Sequence, residues 1–195
     1  MIRLLPARIL ATAGLLAGLL VALVIHEDQQ RQAGREIRLA MAAVDPRDLL
    51  AGHYVALNLT QPLPKGAPCP PGVGGAWPFG KKAPAGWIAV TPSPRGEIVT
   101  GVAAGRKAAL AYGPIVLQGK TECWSAPESG DEDGRVTVKI GVDRFHTDQK
   151  QAEAMERALR GRAPPAFAII SIGADGRGRL KGVIVGDKRM DLTWD

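Results

Sequence analysis

Aromatic residues are scarce, at 5% of 195 residues, so any core must rest on Val, Ile, Leu, Ala and Met. There is no Gly-X-Y period and no long heptad run, and the 46% apolar content is too high for a disordered chain. Collagen, coiled coil and wholesale disorder are therefore excluded. No run of Lys or Arg is interleaved with aromatics, so nucleic acid is not an expected partner despite the net charge of +6. The three histidines, His26, His53 and His146, stand far apart with no H-x-x-x-H or H-E-x-x-H pattern. The only two cysteines, Cys69 and Cys123, have no further Cys or His at ligand spacing, so no metal site and no cofactor is expected. Asp131-Glu132-Asp133-Gly134 lacks the alternating ligands and the later Glu of a calcium loop and reads as an acidic turn. Ser93, Ser125, Ser129 and Ser171 lack a G-x-S-x-G setting. No internal repeat of useful length is present.

What the chain does have is a greasy start. Ile9 to Ile25 is seventeen residues without a charge, ten of them Leu, Ile or Val. On insertion scales those ten contribute about −3 to −6 kcal/mol. Arg8 lies close enough to the end to snorkel rather than cancel that gain. A cleaved signal peptide is the main competitor, but Ala22-Leu23-Val24 and Val24-Ile25-His26 are poor cleavage sites. A buried helix of a soluble protein is the other, and the segment has no polar stripe for it. The expectation is an uncleaved single-pass anchor in the lipid bilayer, with Arg3, Arg8 and the amino terminus inside and residues 27–195 outside. Gly14 and Gly18 form a G-x-x-x-G pair that would let two such helices approach closely, a route to a homodimer.

With Arg3 and Arg8 set aside, the remaining 169 residues carry 23 basic and 19 acidic side chains, a mild and scattered excess. Residues 1–26 form the tail and anchor, 27–35 a stalk or a continuation of the helix, and 36–195 one extracytoplasmic domain. Ile37, Leu39 and Met41 alternate with Arg38, Ala40 and Ala42, which predicts a half-buried strand. His53 to Leu59 predicts a second strand after the turn at Asp45-Pro46. Residues 60–85, dense in Pro, Gly and Lys, predict an irregular loop. Further strands are expected at Trp87–Val90, Glu97–Val102, Val136–Ile140, Phe167–Ile172 and Leu180–Val185, with Tyr112–Leu117 an apolar segment interrupted by Pro114. Asp175-Gly176 is a hairpin turn signal between the last two strands. Thr147 to Arg160 predicts one helix, capped by Thr147, striped by Ala152, Met155, Ala158 and Leu159, and stopped by Gly161. The class is α+β: a transmembrane helix, then a mainly antiparallel sheet with one helix in the C-terminal half.

If residues 27–195 face an oxidising compartment, Cys69 and Cys123 are a candidate disulfide. The bridge would be worth about 3–4 kcal/mol on the chain-entropy view; the alternative is two unpaired thiols. Asp143-Arg144-Phe145 reads either as an internal ion pair with a packed ring or as a recognition patch.

The run from Gly52 to Leu59, preceded by Val44-Asp45-Pro46-Arg47-Asp48-Leu49-Leu50, resembles the signature of the GDYXXLXY family of small bacterial membrane-anchored proteins. Gly52, Tyr54 and Leu57 match the signature, whereas His53 stands where the family has Asp and Leu59 where it has Tyr. Gly141 to Phe145 resembles that family's second recurrent segment, and the similarity runs over roughly residues 36–186 in order of elements. The resemblance implies a protein of the bacterial inner membrane, with a multi-spanning membrane protein as partner. It makes Gly52, His53, Tyr54, Leu57, Asp143, Arg144 and Phe145 the candidate partner-binding residues, and a non-enzymatic accessory subunit the expected function. The competing expectation is a signal-peptidase-like hydrolase, since an anchor followed by a Gly-x-Tyr-Val strand is similar to those enzymes. That chemistry needs a Ser nucleophile soon after the anchor, and none lies between Ile25 and Gly52.

Overall fold

The computed structural model describes residues 5–42, 54–75, 86–125, 134–142, 144–146 and 165–192. The expected helix at Thr147–Arg160 lies outside the described residues.

Helix α1 runs unbroken over Leu5–Ala33. Residues 27–33 therefore continue the apolar segment as helix, and Gly34 separates it from the first strand. A side chain at Gly34 would collide with the Ser171 hydroxyl at 2.1 Å and the Ile172 carbonyl oxygen at 2.8 Å. Helix and sheet meet here at backbone distance.

Twelve strands follow among the described residues: β1 (Arg35–Ala42), β2 (Tyr54–Ala56), β3 (Asn58–Pro62), β4 (Gly74–Gly75), β5 (Gly86–Thr91), β6 (Ile98–Ala103), β7 (Ile115–Trp124), β8 (Arg135–Lys139), β9 (Arg144–His146), β10 (Ala166–Ile172), β11 (Gly178–Val185) and β12 (Lys188–Asp191). Nine of them form one antiparallel path, β12-β11-β10-β1-β3-β8-β7-β5-β6, and β4 joins β7 in parallel beyond the end of β5. The alternation read from the sequence is what the sheet uses. Ile37, Leu39 and Met41 of β1 and Val136 and Val138 of β8 are buried, while their neighbours Arg38, Arg135 and Lys139 are exposed. Strand β10 is buried on nearly every residue because the end of α1 lies against a strand already inside the sheet.

The sheet curls until its far edge returns to β1. The Glu97 N–H donates to the Arg38 carbonyl oxygen at 2.8 Å, and Leu39 and Glu97 form a parallel bridge. Gly96, at φ +89°, makes this approach possible: a Cβ there would lie 2.8 Å from the Arg38 carbonyl oxygen and 2.9 Å from the Phe167 ring. One continuous core results, with Ile37, Leu39, Ile170 and Val183 from one half of the sheet and Ile88, Val90, Leu117 and Val136 from the other.

Several elements differ from the sequence reading. The single strand expected over His53–Leu59 is two. β2 pairs with β9 in a separate ribbon, and β3 begins at Asn58 in the large sheet. The chain changes partners at Leu57, whose side chain is buried in the core. Within the expected loop over 60–85, β3 extends to Pro62 and β4 adds a two-residue pairing. A four-residue helix α2 (Arg106–Ala109) covers the outer face of β5 and β7, burying Ala109 against Ala89 and Val116. It is too short to show a helical period.

Candidate membrane-proximal interface

Segment Arg8–Ala33 of α1 is long and apolar enough to cross a membrane, and its apolar part is uncovered by the rest of the protein. Leu10, Leu20 and Val24 are each about two-thirds exposed. Soluble proteins rarely expose so large a contiguous apolar surface to water. Gly14 and Gly18 lie on this stretch with nothing within 4 Å of an added Cβ, so both are open to a neighbouring helix.

Where the apolar stretch ends, α1 is clamped to the sheet. Arg179 of β11 is the centre of the clamp, with its side chain only 8% exposed. Its Nε donates to Glu27 Oε1, and its Nη2 donates to Glu27 Oε2 at 3.1 Å and to Asp175 Oδ2 at 3.0 Å. Nη1 donates to Asp175 Oδ1 at 3.1 Å. One guanidinium thus holds a carboxylate from the helix and a carboxylate from the β10–β11 turn, both in fork geometry. The Arg179 hydrogen bonds hold the Asp175 carboxyl down at about 2, against partial burial, with the Arg177 N–H adding to the effect. Its two carboxylates push the Arg179 guanidinium further up. A second network on the next strands joins Glu36 of β1 to Lys181 of β11 and Arg189 of β12. The hydrogen bond from Lys181, then that from Arg189, lowers the Glu36 carboxyl.

The turn that carries Asp175 is itself held. The Gln118 N–H donates to the Gly176 carbonyl oxygen at 2.8 Å, and Gln118 Nε2 donates to the Asp175 carbonyl oxygen at 3.0 Å. Arg106 of α2 donates to the Ala174 carbonyl oxygen at 3.1 Å while its guanidinium lies 5.5 Å from the Trp87 ring centre. Gly176 has φ +79°, and an added Cβ would sit 2.3 Å from the same indole. The hairpin signal in the sequence therefore has a second reason to be glycine: the turn rests on Trp87.

Two depressions flank the end of α1. The larger, about 630 Å³, lies between Glu27, the start of β5, β7, the end of β8 and the β10–β11 hairpin. Its charged lining is four cations, Lys120, Lys139, Arg177 and Arg179, against one carboxylate, Glu27. The smaller, about 430 Å³, lies between Gln30, Ala33, Arg106, Leu110 and Ala174. Leu110 is half exposed there. No three His, Cys, Asp or Glu side chains gather in a metal-binding arrangement among the described residues. Nor does any serine hydroxyl there share a hydrogen bond with a lysine amine, the contact a signal-peptidase-like hydrolase would need.

The residues singled out from the sequence fall in different places. Gly52, His53 and Asp143 lie outside the described residues. The segments on either side do meet: Tyr54 pairs with His146, Val55 with Phe145 and Ala56 with Arg144, antiparallel. The two stretches that carry the family resemblance are thus one ribbon, and Leu57, just past it, is a core residue. Cys69 and Cys123 are joined in a disulfide with Cα atoms 5.9 Å apart. It ties the Pro-rich segment after β3 to β7, beside the β4 pairing, with Cys123 fully buried. The clamp and the groove were not foreseen. Glu27 and Arg179 are 152 residues apart, and nothing local in either segment announces the other.

No curated protein and no solved structure gives a match to this chain. The family model described as GDYXXLXY protein matches residues 16–183, from inside α1 to β11. On that match, which covers most of the chain and includes both strands of the signature ribbon, the protein belongs to the GDYXXLXY family.

Proposed function

We infer that this protein is a single-pass, non-enzymatic accessory subunit of a membrane assembly. Its amino terminus lies in the cytosol, and its sheet domain is held on the extracytoplasmic face of a bacterial inner membrane. One observation carries the reading: an uncovered apolar helix runs without a break into a domain that clamps its polar end through Arg179. A tether that only needed to retain a domain would gain nothing from such a clamp. A subunit that must present its span and its domain to one partner in a fixed relation does. The Cys69–Cys123 bond supports the sidedness, because structural disulfides persist in oxidising compartments. The partner that fits is a multi-spanning protein offering an apolar helix surface and an extracytoplasmic loop, with a second copy docking through Gly14 and Gly18 as the other occupant of the helix face.

Co-purification of the full chain at native expression in a mild detergent, with partners read by mass spectrometry, tests this. The expected result is a defined complex containing a multi-spanning protein, lost when Gly14 and Gly18 are both replaced by Ile. Recovery of the chain alone at every detergent mildness would overturn the assembly reading.

A further inference from the structure

We propose that the groove beside Glu27 is a seat for the phosphate headgroup of an anionic phospholipid, so that the domain grips the bilayer surface as well as being anchored through it. The proposal rests on the anchored reading of α1 but not on any protein partner. Location comes first. The apolar stretch ends at Ile25, and Glu27 stands two residues further along the helix, about 3 Å at the α-helical rise. The headgroup layer is about 5–7 Å deep on each side of the hydrocarbon core. Glu27 is a wall of the groove, so the groove opens at headgroup depth.

Chemistry comes second. Of its cations, Arg179 is committed to Glu27 and Asp175, and Lys139 pairs with Glu122. Lys120 and Arg177 make no ion pair among the described residues, although both line the same cavity. Two cations outside any ion pair, both lining one depression at the membrane surface, complement a phosphodiester. Trp87 lines the same groove, and indole is the side chain that settles at the boundary between headgroup and acyl chain. The volume, about 630 Å³, falls in the range of small-molecule sites.

The test uses the full chain reconstituted in vesicles of phosphatidylcholine with or without phosphatidylglycerol, followed by detergent extraction and mass spectrometry of the lipids retained. Wild type is expected to retain phosphatidylglycerol over phosphatidylcholine. The Lys120→Gln/Arg177→Gln chain should lose that preference, by about fivefold for each cation near the surface. Lys65→Gln/Arg95→Gln, in exposed turns that do not line the groove, should retain it. Millimolar inorganic phosphate should not displace the lipid; if it does, the site is a free-phosphate site and the lipid assignment is wrong. Equal retention of both lipids by wild type, or an unchanged preference in Lys120→Gln/Arg177→Gln, overturns the proposal. Because lipid is read directly, a negative partner search and a negative lipid result remain distinguishable.

Discussion

Replacing Cys69 and Cys123 together by Ala is expected to lower the unfolding free energy of the domain by about 4 kcal/mol, the chain-entropy value for a closed loop of this length. The sequence separation is 54 residues, and the loop contains β4 and the β5–β6 pair. Opening it frees the Pro-rich segment after β3 from β7 and leaves the parallel β4 pairing, only two residues long, without its brace. Cys123 is 2% exposed, so Ala at that position also leaves a small void. Chemical denaturation of the full chain in detergent, compared with the double variant and with the reduced wild type, reads the effect. The two perturbed forms should lose similar amounts. A loss under about 1 kcal/mol in both would mean that the sheet holds this loop without the bond.

The second large effect is expected at Arg179. Replacing it by Met removes the donor to both Glu27 and Asp175 while keeping the stem that packs under the hairpin. Breaking a fully buried ion pair costs about 3–5 kcal/mol. Glu27 and Asp175 are 48% and 41% exposed and can rehydrate, so about 1–3 kcal/mol is expected here. The acid dependence carries the signature. Asp175 sits at about 2 in the folded protein, against an ordinary value of 3.8. Its carboxylate is depressed, so its contribution is complete above about pH 4 and is lost as the pH falls towards 2. Wild type should lose stability through that window, and Arg179→Met should be flatter there. Unfolding followed from neutral pH to pH 2 for both chains distinguishes the cases; parallel curves would mean the clamp is not the source. The same variant should loosen α1 from β10 and β11, visible as faster amide exchange over residues 27–33.

Much of the architecture could be read in advance, for a local reason. β1 and β8 show clean period-two alternation, and the β10–β11 hairpin is announced by Asp175-Gly176. These are signals written within a few neighbouring residues. What stayed hidden depends on pairings across long stretches of chain. The change of partner at Leu57 could not be seen, because the alternation from His53 to Leu59 continues through it. β12 is an edge strand with Lys188, Arg189 and Asp191 facing water, so it shows no hydrophobic period at all. α2 is a single turn whose one buried side chain is an Ala. The candidate site was least legible of all. Lys120, Lys139 and Arg177 come from three different segments and look like scattered surface charge until the sheet curls and sets them around Glu27. The signature residues are legible by their letters, yet only the pairing of β2 with β9 shows that the two distant segments meet in one ribbon.

The most direct test of the whole account is thiol accessibility in spheroplasts expressing the full chain. Membranes are washed with carbonate, and Cys69 and Cys123 are probed with a membrane-impermeant maleimide before and after treatment with an impermeant reductant. The chain is expected to stay with the membrane pellet, to be unlabelled before reduction, and to take label afterwards without lysis. Recovery in the soluble fraction, or thiols that react only once the cells are broken and without prior reduction, would contradict it.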